Sequence, residues 1–391
     1  MFKIKKLLLT MATITPIIGI ASLPISCSKE HGQTTQKTVV KMALSFTDSN
    51  GEVIPQNLID EFKNTINTKL KDKKIEVDFI NNGNDDYTTI SNNLLNGTID
   101  FGFISSGSML SKKDDVKTEG LQIKLQTLTP MFKGDVVNAT YATDNGKTLK
   151  DIASNEYAEF SRLPWGEEWN DETNGNGWNG SIYQKFYNVG EKVSYQRGLV
   201  IAIADQDMHG QIMSAWNSKK FSEFVKFGIG IGKASSGSKY ILPEALFKSH
   251  FDDFTSLEKA KVDYKDYIKA AKVTEANANP NLHIFFDNEG SYTWTHYKDK
   301  KQFAFAANPE VRPNQTFKFL SVTNPLPYNV GVFGKNVKPE IADVISKAFV
   351  EVANENKDPI GPRNGFVGYE FIENPDQTFW NLIDQITNPK N

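Results

Sequence analysis

The hydrophobic and polar positions along the first third of the chain follow two periods, which together predict an α/β protein. Apolar residues at helical spacing in residues 57–70 lie between two segments of strand character, 39–46 and 75–80. A second helical pattern at 87–95 leads into a third predicted strand at 97–104. Because strands alternate with helices, we predict a mostly parallel sheet whose ligands lie at the carboxyl ends of its strands.

The second half of the chain repeats this alternation after an irregular segment. Residues 126–193 are rich in Gly, Asn and Trp and follow neither period. We interpret them as a functional insertion, because a long irregular region is usually functional or disordered and three tryptophans argue against disorder. The predicted strands beyond it are 197–203, 283–286 and 317–322, and the predicted helices are 210–216, one beginning near Pro243, 340–354 and 378–386.

The N-terminal residues 1–26 have the pattern of a secretion signal. Lys3, Lys5 and Lys6 precede a mostly apolar run over residues 7–23. That run is short for a membrane span, and its Pro and Gly weaken a continuous helix further. We therefore predict a cleaved signal peptide.

The junction after this signal resembles a bacterial lipobox. Small Ser26 stands directly before Cys27, the only cysteine of the protein, although Pro24 occupies a position where an aliphatic residue is usual. The alternative is a buried, inert thiol, but the polar residues that follow provide no core for it. We expect Cys27 to carry a lipid and residues 27–37 to form a polar tether at the outer face of the cell membrane.

The charge and composition of the mature sequence exclude some function classes. Removing residues 1–26 changes the formal charge from −3 to −6 and leaves 365 residues, which is enough for two lobes. Because the lysine runs at 69–74 and 298–301 are short and mixed with acids, we expect no nucleic-acid partner. With Cys27 lipidated no disulfide can form, so stability must come from burial, to which 26 Phe, 13 Tyr and 6 Trp contribute.

Two serine-glycine segments follow predicted strands and are candidate anion-binding loops. Backbone N–H groups at a helix start, together with hydroxyl groups, can bind a phosphate or another oxyanion through neutral donors. Either segment alone could equally be an ordinary N-cap turn. Two of them at equivalent places in two α/β units favour a binding site. The candidate residues are Ser105, Ser106, Ser108, Ser235, Ser236, Gly237 and Ser238.

Motifs of common enzyme classes are not met in this sequence. Gly228, Gly230 and Gly232 match neither the dinucleotide fingerprint nor the Walker A pattern. The five histidines lack metal-like spacing, and no nucleophile elbow surrounds any serine. We therefore predict a protein that is not an enzyme and has no cofactor or metal site.

A set of aromatic residues in Gly-, Pro- and Asn-containing segments is the second candidate feature. Flat side chains on loops can stack on a ring, and tryptophan is the best face for a cationic one. Glu289 could hydrogen-bond an amino group or offset a positive ring. Each of these residues could equally be a plug packed on a lobe. The aromatic candidates are Trp165, Trp169, Trp178, Tyr292, Trp294 and Tyr328.

Three segments resemble the phosphonate-type periplasmic binding proteins of ABC importers: Asp100-Phe101-Gly102, residues 233–238 followed by Pro243, and residues 323–333. Nearly the whole chain, in order, resembles the mycoplasmal high-affinity transport-system lipoproteins, which are extracytoplasmic binding proteins for thiamine pyrophosphate. The matching positions are Ile25-Ser26-Cys27, Trp178-Asn179-Gly180, Tyr183, Arg197-Gly198, Ala215-Trp216-Asn217, Phe227-Gly228-Ile229, Glu289-Gly290-Ser291, Trp294-Thr295-His296 and Asn324-Pro325.

The resemblance implies a two-lobed type II binding-protein fold with a hinge and a ligand cleft. Its first lobe would comprise residues 38–195, its second lobe 196–320, and residues 321–391 would return to the first lobe. The implied hinge is crossed near residues 195–199 and 319–328.

The resemblance also implies thiamine pyrophosphate as the transported ligand in the cleft, with Asn324 and Glu289 among the binding residues. The spacing from Trp165 and Trp169 to Trp178 is longer than in the family, so the family pattern does not extend to those two. The implied partners are ABC permease and ATPase subunits, and we expect a monomer. Two alternatives stay open: a binding protein for a phosphonate or another phosphate ester, and a surface adhesion protein on the same fold.

Overall fold

The strands of the protein form two main sheets and one short ribbon in the computed structural model, which describes residues 37–47, 52–82, 87–110, 112–162, 187–290 and 310–387. In chain order they are β1 (Thr38–Leu44), β2 (Ile75–Asn81), β3 (Phe101–Ile104), β4 (Gln122–Phe132), β5 (Tyr187–Val193), β6 (Tyr195–Gln196), β7 (Gly198–Ala204), β8 (Ile229–Ile231), β9 (Ile268–Ala270), β10 (Ile284–Asn288), β11 (Thr316–Val322), β12 (Leu326–Pro327), β13 (Val330–Phe333) and β14 (Gly368–Phe371).

Helices cover these sheets, and short 3₁₀ or π turns extend several of them. In chain order the α-helices are α1 (Gln56–Leu70), α2 (Tyr87–Asn96), α3 (Ser106–Leu110), α4 (Lys113–Glu119), α5 (Tyr141–Asp144), α6 (Lys147–Arg162), α7 (Gln206–Asn217), α8 (Phe221–Phe224), α9 (Leu242–His250), α10 (Leu257–Asp263), α11 (Pro339–Asn354) and α12 (Asn381–Thr387). Among the described residues, none of these helices is long and apolar enough to cross a membrane.

The two sheets share an arrangement of five strands, in which three parallel strands are followed by one antiparallel strand and then by a strand parallel to the first three; in the first sheet β14 and β5 add further antiparallel pairs. The first has the order β14-β4-β13-β3-β1-β2, with β5 also paired to β4, and β13 runs antiparallel to both its neighbours. The second has the order β11-β7-β10-β8-β9, in which β7 is the antiparallel strand. Each antiparallel strand follows a segment in which the chain changes lobe, so the two lobes are built by exchange of strands.

Burial explains why these segments adopt their structures. The helix predicted at 57–70 is present as α1, and its apolar positions Ile59, Phe62, Ile66 and Leu70 are buried against the first sheet together with α11. Helices α2 and α12 contribute to a separate apolar cluster of the same lobe. Strand β7 is buried at every position, which matches a continuous apolar run in the middle of a sheet covered on both faces.

The chain crosses between the lobes in two adjacent segments. Strand β6 leads from the first sheet into β7, and β12 leads from the second sheet back to β13. The two crossing strands pair antiparallel, Tyr195 opposite Pro327 and Gln196 opposite Leu326. These strands lie in the regions where the hinge is predicted, and the two-lobed type II architecture is confirmed.

The prediction of irregular structure over residues 126–193 is wrong for its described parts. Strand β4 continues to Phe132, α6 has 16 residues, and β5 returns to the first sheet. The buried positions of α6 are Leu149, Ile152, Ala153 and Glu156, a regular helical stripe. Because the fourth position of this stripe is Glu156, the apolar residues alone do not show the helical spacing. Although α6 falls in the range predicted for the first lobe, it packs on the second sheet, with its Tyr157 ring 5.6 Å from that of Phe319.

Candidate functional site

A cleft of about 430 Å³ lies between the lobes beside the crossing strands. Its wall includes both predicted serine-glycine segments, one from each lobe. The lining residues are Tyr87, Thr88, Ser105, Ser108, Gln196, Gly232, Lys233, Ser235, Ser236, Gly237, Ser238, Lys239, Lys272, Asn288, Tyr328 and Asn329.

The first serine segment begins helix α3 at the end of β3. The hydroxyl of Ser105 accepts a hydrogen bond from the backbone N–H of Ser108 at 3.3 Å, as an N-cap does, and donates to the Ser108 hydroxyl at 3.0 Å. Ser106 is fully buried, and its hydroxyl donates to the carbonyl oxygen of Tyr328 at 2.6 Å. Ser105 and Ser108 therefore line the cleft, whereas Ser106 holds the second crossing segment.

The second serine segment starts a longer helical stretch. Ser236 caps a π turn at Gly237–Ile241 by accepting from the N–H of Lys239 at 3.3 Å, and the turn continues into α9. The backbone N–H groups of a first helical turn have no carbonyl partner within the helix. This end of the helix faces the cleft, so the segment offers the amide and hydroxyl donors that an oxyanion requires.

The two serine segments contact each other across the cleft at Gly107. A Cβ atom added to Gly107 would lie 2.7 Å from the carbonyl oxygen of Ser235 and 3.0 Å from the backbone nitrogen of Gly237. Both contacts are to backbone atoms of the other lobe. The structure therefore shows the lobes closed on each other, with glycine required at this contact.

Three lysines extend the polar wall beyond the neutral donors that the sequence predicts. Lys233, Lys239 and Lys272 line the same cleft. The ammonium group of Lys239 lies 2.9 Å from Asp287 Oδ1, so its charge is partly balanced. A cleft wall with hydroxyls, helix-start amides and lysines suits an anion such as a diphosphate. In the described part of the chain, no group of His, Cys, Asp or Glu is arranged to hold a metal ion.

A smaller compartment of about 110 Å³ continues from the cleft toward the crossing strands. Gln196, Asn288 and Tyr328 line both cavities, so the two spaces adjoin. The remaining wall of this inner compartment is formed by Thr129, Pro130, Phe132, Asp135, Tyr187, Val193, Tyr195, Arg197 and Glu289. Its surroundings are more aromatic than those of the outer cleft, and its charged groups are mainly buried.

A buried ion pair stands beside the inner compartment. Arg197 Nε donates to Asp135 Oδ1 at 3.0 Å, and both side chains are at most 1% exposed. The Tyr195 hydroxyl donates to the other carboxylate oxygen of Asp135 at 2.8 Å. Asp135 is therefore fully engaged. Burial and the Asp135 charge raise the pKa of the Tyr195 hydroxyl, so Tyr195 stays a donor at neutral pH.

Glu289 lines the same compartment, and the pKa of its carboxyl group is strongly raised. Its removal from water, followed by the charge of Asp135, raises its pKa from 4.5 to about 8, and Arg197 only partly opposes this. Burial also raises the pKa of Glu156, which stands behind it on α6, and the nearby Glu289 carboxyl raises it further. Glu289 is therefore mostly neutral at pH 7.

This shift predicts how the stability of the ligand-free protein depends on pH. Between about pH 4.5 and pH 8 the folded state binds more protons at Glu289 than the unfolded state does, so this group makes the protein less stable as the pH rises. In E289Q we expect the decrease in the free energy of unfolding with rising pH to be smaller by about 1–2 kcal/mol. This is less than the pKa shift alone would imply, because Glu289 is only half-buried. Urea unfolding of wild type and E289Q at pH 5 and pH 9 measures this difference. An equal decrease in the free energy of unfolding in both proteins would contradict the raised pKa of Glu289.

The predicted site residues are divided among several places. Glu289 and Tyr328 line the inner compartment, whereas Asn324 lies elsewhere: its Oδ1 accepts from the N–H of Tyr141 at 2.7 Å, and it borders a different cavity beside α5. The predicted residues outside the described ranges are Cys27, Trp165, Trp169, Trp178, Tyr292 and Trp294.

Other cleft residues do not appear in the sequence prediction. Asn329 donates from its amide to the Tyr87 hydroxyl at 2.9 Å, which joins the second crossing segment to α2. Gln196 and Asn288 reach both cavities from β6 and β10. None of them belongs to a short motif, and their convergence depends on pairing between strands that are distant in sequence. Only the lysines carried a usable signal, because Lys233 and Lys239 flank the second serine segment.

Two α/β lobes that exchange strands and enclose a polar cleft beside two crossing segments define a bilobal solute-binding protein. The sequence model of one family, the CypI extracytoplasmic thiamine-binding lipoproteins, matches residues 56–388. The chain belongs to this family.

Relatives in two mycoplasmas support this assignment over most of the chain. The chain is 28% identical over 394 residues to the high affinity transport system protein p37 of Mycoplasma pneumoniae, covering 98% of this chain and 99% of the relative. It is 31% identical over 356 residues to the p37 protein of Mesomycoplasma hyorhinis, covering 88% and 82%. A solved structure of Mycoplasma hyorhinis Mh-p37, described as a proposed thiamine pyrophosphate transporter, has a TM-score of 0.76 and 27% identity, covering 91% of this chain and all of that one.

Proposed function

We propose that this protein captures thiamine pyrophosphate in the cleft between its lobes and delivers it to the permease of an ABC importer, whose ATPase subunits drive uptake. The observation that carries the proposal is the meeting of two serine segments and three lysines, from both lobes, around one cavity. An anion bound there contacts both lobes at once and stabilises their closure. The Mh-p37 relative, which has the same fold, is described as a proposed thiamine pyrophosphate transporter.

The two adjoining cavities suit the two ends of such a ligand. The diphosphate binds in the outer cleft among Ser105, Ser108 and the 235–238 segment, where the helix-start donors lie. The rings extend into the inner compartment beside Tyr328 and Glu289. Trp178, Tyr292 and Trp294 are proposed to stack on the rings, as the sequence predicts.

The proposed location is the outer face of the cell membrane. Cys27 carries the lipid, and residues 27–37 form the tether that connects it to the first described strand. A monomer held in this way can open, close and dock on the membrane subunits. The protein binds and releases its ligand without chemical change, so no catalytic residue is assigned.

Thermal unfolding with a set of ligands tests this function. We expect thiamine pyrophosphate at a hundred times its dissociation constant to add about 2.7 kcal/mol of stability to the full chain. Pyrophosphate alone should shift the transition less because it lacks the rings. Equal shifts with alkylphosphonates and thiamine pyrophosphate would instead indicate a phosphonate or phosphate ester carrier, and no shift with any of them would favour an adhesion protein.

A further inference from the structure

Glu156 is a fully buried acid that the diphosphate site does not use. It occupies the fourth position of the buried stripe of α6, where an apolar residue would pack without cost. Its Oε2 accepts a long hydrogen bond of 3.4 Å from the N–H of Gly290. Its Oε1 is buried with no hydrogen-bond partner among the residues described. An acid retained in such a position, with one oxygen unsatisfied, is costly unless it serves a partner.

Glu289 lines the inner compartment and interacts with Glu156, which does not line it. Its backbone N–H donates to the carbonyl oxygen of Arg197 at 3.0 Å, which fixes the loop after β10. Its side chain lines the compartment, and its Oε1 is also buried without a hydrogen-bond partner in the described structure. Two carboxyl groups within electrostatic reach of each other thus each keep one unused oxygen.

The charged groups around this pair do not neutralise it. Arg197 is already bound to Asp135 and donates its other hydrogen bonds to the carbonyl oxygens of Val136, Ala139 and Thr323. Asp135 adds a negative charge of its own. Among the residues that the structure describes, the other titratable neighbours named here are hydroxyls: that of Tyr195 is donated to Asp135, and that of Tyr187 lies against Gly290.

We propose that Glu289 binds the positively charged or amino-bearing ring of the ligand. Glu156 positions the Glu289 side chain, because it keeps its own proton and donates a hydrogen bond to the Glu289 carboxylate. Ligand binding then releases the proton of Glu289 to solvent. This rests on the proposed function, because it assigns a subsite of the same cleft. In the free protein both carboxyl groups are protonated. In the complex Glu289 is ionised opposite the ligand cation, Glu156 stays neutral, and the displaced proton leaves to water.

The electrostatics of the pair agree with this division of roles. Burial raises the pKa of both carboxyl groups, whereas the hydrogen bond from Glu156 lowers the pKa of Glu289. Glu289 is therefore the acid that ionises first. A cation placed in the compartment stabilises its carboxylate further, which couples the proton to the ligand.

Calorimetric titration of the full chain with thiamine tests the coupling. Thiamine carries a fixed positive charge on its thiazolium ring and has no phosphate whose titration would interfere. Measurements between pH 6 and pH 9, in buffers of different ionisation enthalpy, give both the affinity and the number of protons released. We expect close to one proton released near pH 7, and an affinity that rises up to about tenfold per pH unit until it levels off near pH 8.

Variants of the two acids separate binding from positioning. E289Q should weaken thiamine binding at pH 8 at least about tenfold and abolish proton release, because the ionisable group is gone. Glu156→Leu should move the pH dependence upward, since Glu289 loses its donor, and Glu156→Gln should restore the wild-type profile because its amide donates in the same place. Glu370→Gln, at an exposed position of β14, is the matched control and should leave the profile unchanged.

The results distinguish this subsite from the function on which it rests. If thiamine and thiamine pyrophosphate bind to wild type without proton release, or if E289Q keeps the wild-type pH profile, the carboxyl pair is not the ring site although the function stands. If Glu156→Leu titrates like wild type, Glu156 has no positioning role. If neither compound binds at any pH, the function and the subsite both fail.

Discussion

Replacing Arg197 by Met is expected to lower the free energy of unfolding by about 3–5 kcal/mol, because it leaves a buried carboxylate without its counter-ion. Asp135 is 1% exposed at its side chain and would keep only neutral partners, the Tyr195 hydroxyl and the backbone N–H of Val136. The substitution also removes the donors to three buried or loop carbonyl groups. Arg197 follows the first crossing strand, and its acceptors are Thr323, before the second crossing strand, and Val136 and Ala139, in the segment between β4 and α5, so the damage is concentrated beside the crossing strands.

Urea unfolding of R197M against wild type measures this effect. Arg363→Met, at a partly exposed position, changes the same side-chain type and should cost less than about 1 kcal/mol. Adding Asp135→Asn to R197M should recover part of the loss, since the uncompensated charge disappears. A loss below 1 kcal/mol for R197M would show that the buried pair contributes little to the connection between the lobes.

The parts of the fold predicted from sequence are those whose periodicity is intact. Helix α1 has its buried residues at regular spacing, and β7 is an unbroken apolar run, so both are found where they are predicted. Helix α6 fails this test because Glu156 interrupts its stripe. The exchange of β7 and β13 between lobes leaves no local trace, and only the resemblance to a family implied it.

The candidate site divides in the same way. The serine segments are short, contiguous motifs after strands, so the sequence reveals them and the structure places most of their members in one cleft. Glu289 could be proposed because it stands in a polar, aromatic segment. Its partner Glu156 comes from a helix 133 positions earlier and could be found only once the packing of α6 was known.

The two serine segments contact each other only when the lobes are closed. The substitution Gly107→Ala tests the importance of this contact. Gly107 belongs to α3 and has no left-handed backbone angle, so alanine fits its local conformation and should favour the helix by about 0.5–1 kcal/mol. The new methyl group would nevertheless lie 2.7 Å from Ser235 O, a backbone atom that no side-chain rotation can move.

We expect the ligand-free protein to open at this contact in solution, and we therefore expect Gly107→Ala to weaken thiamine pyrophosphate binding without destabilising the free protein. Overpacking costs about 1–3 kcal/mol, and because here it falls only on the closed state, the dissociation constant should rise about 5- to 150-fold. Gly210→Ala is the matched control: it lies in α7 with no atom near its added Cβ, and should bind normally.

Affinity is measured by calorimetry and stability by urea unfolding. A loss of stability in the ligand-free Gly107→Ala protein would mean that the lobes are already closed without ligand, whereas unchanged affinity would mean that ligand binding does not require this contact. The opposite signs expected for affinity and stability make closure, rather than folding, the property that Gly107 controls.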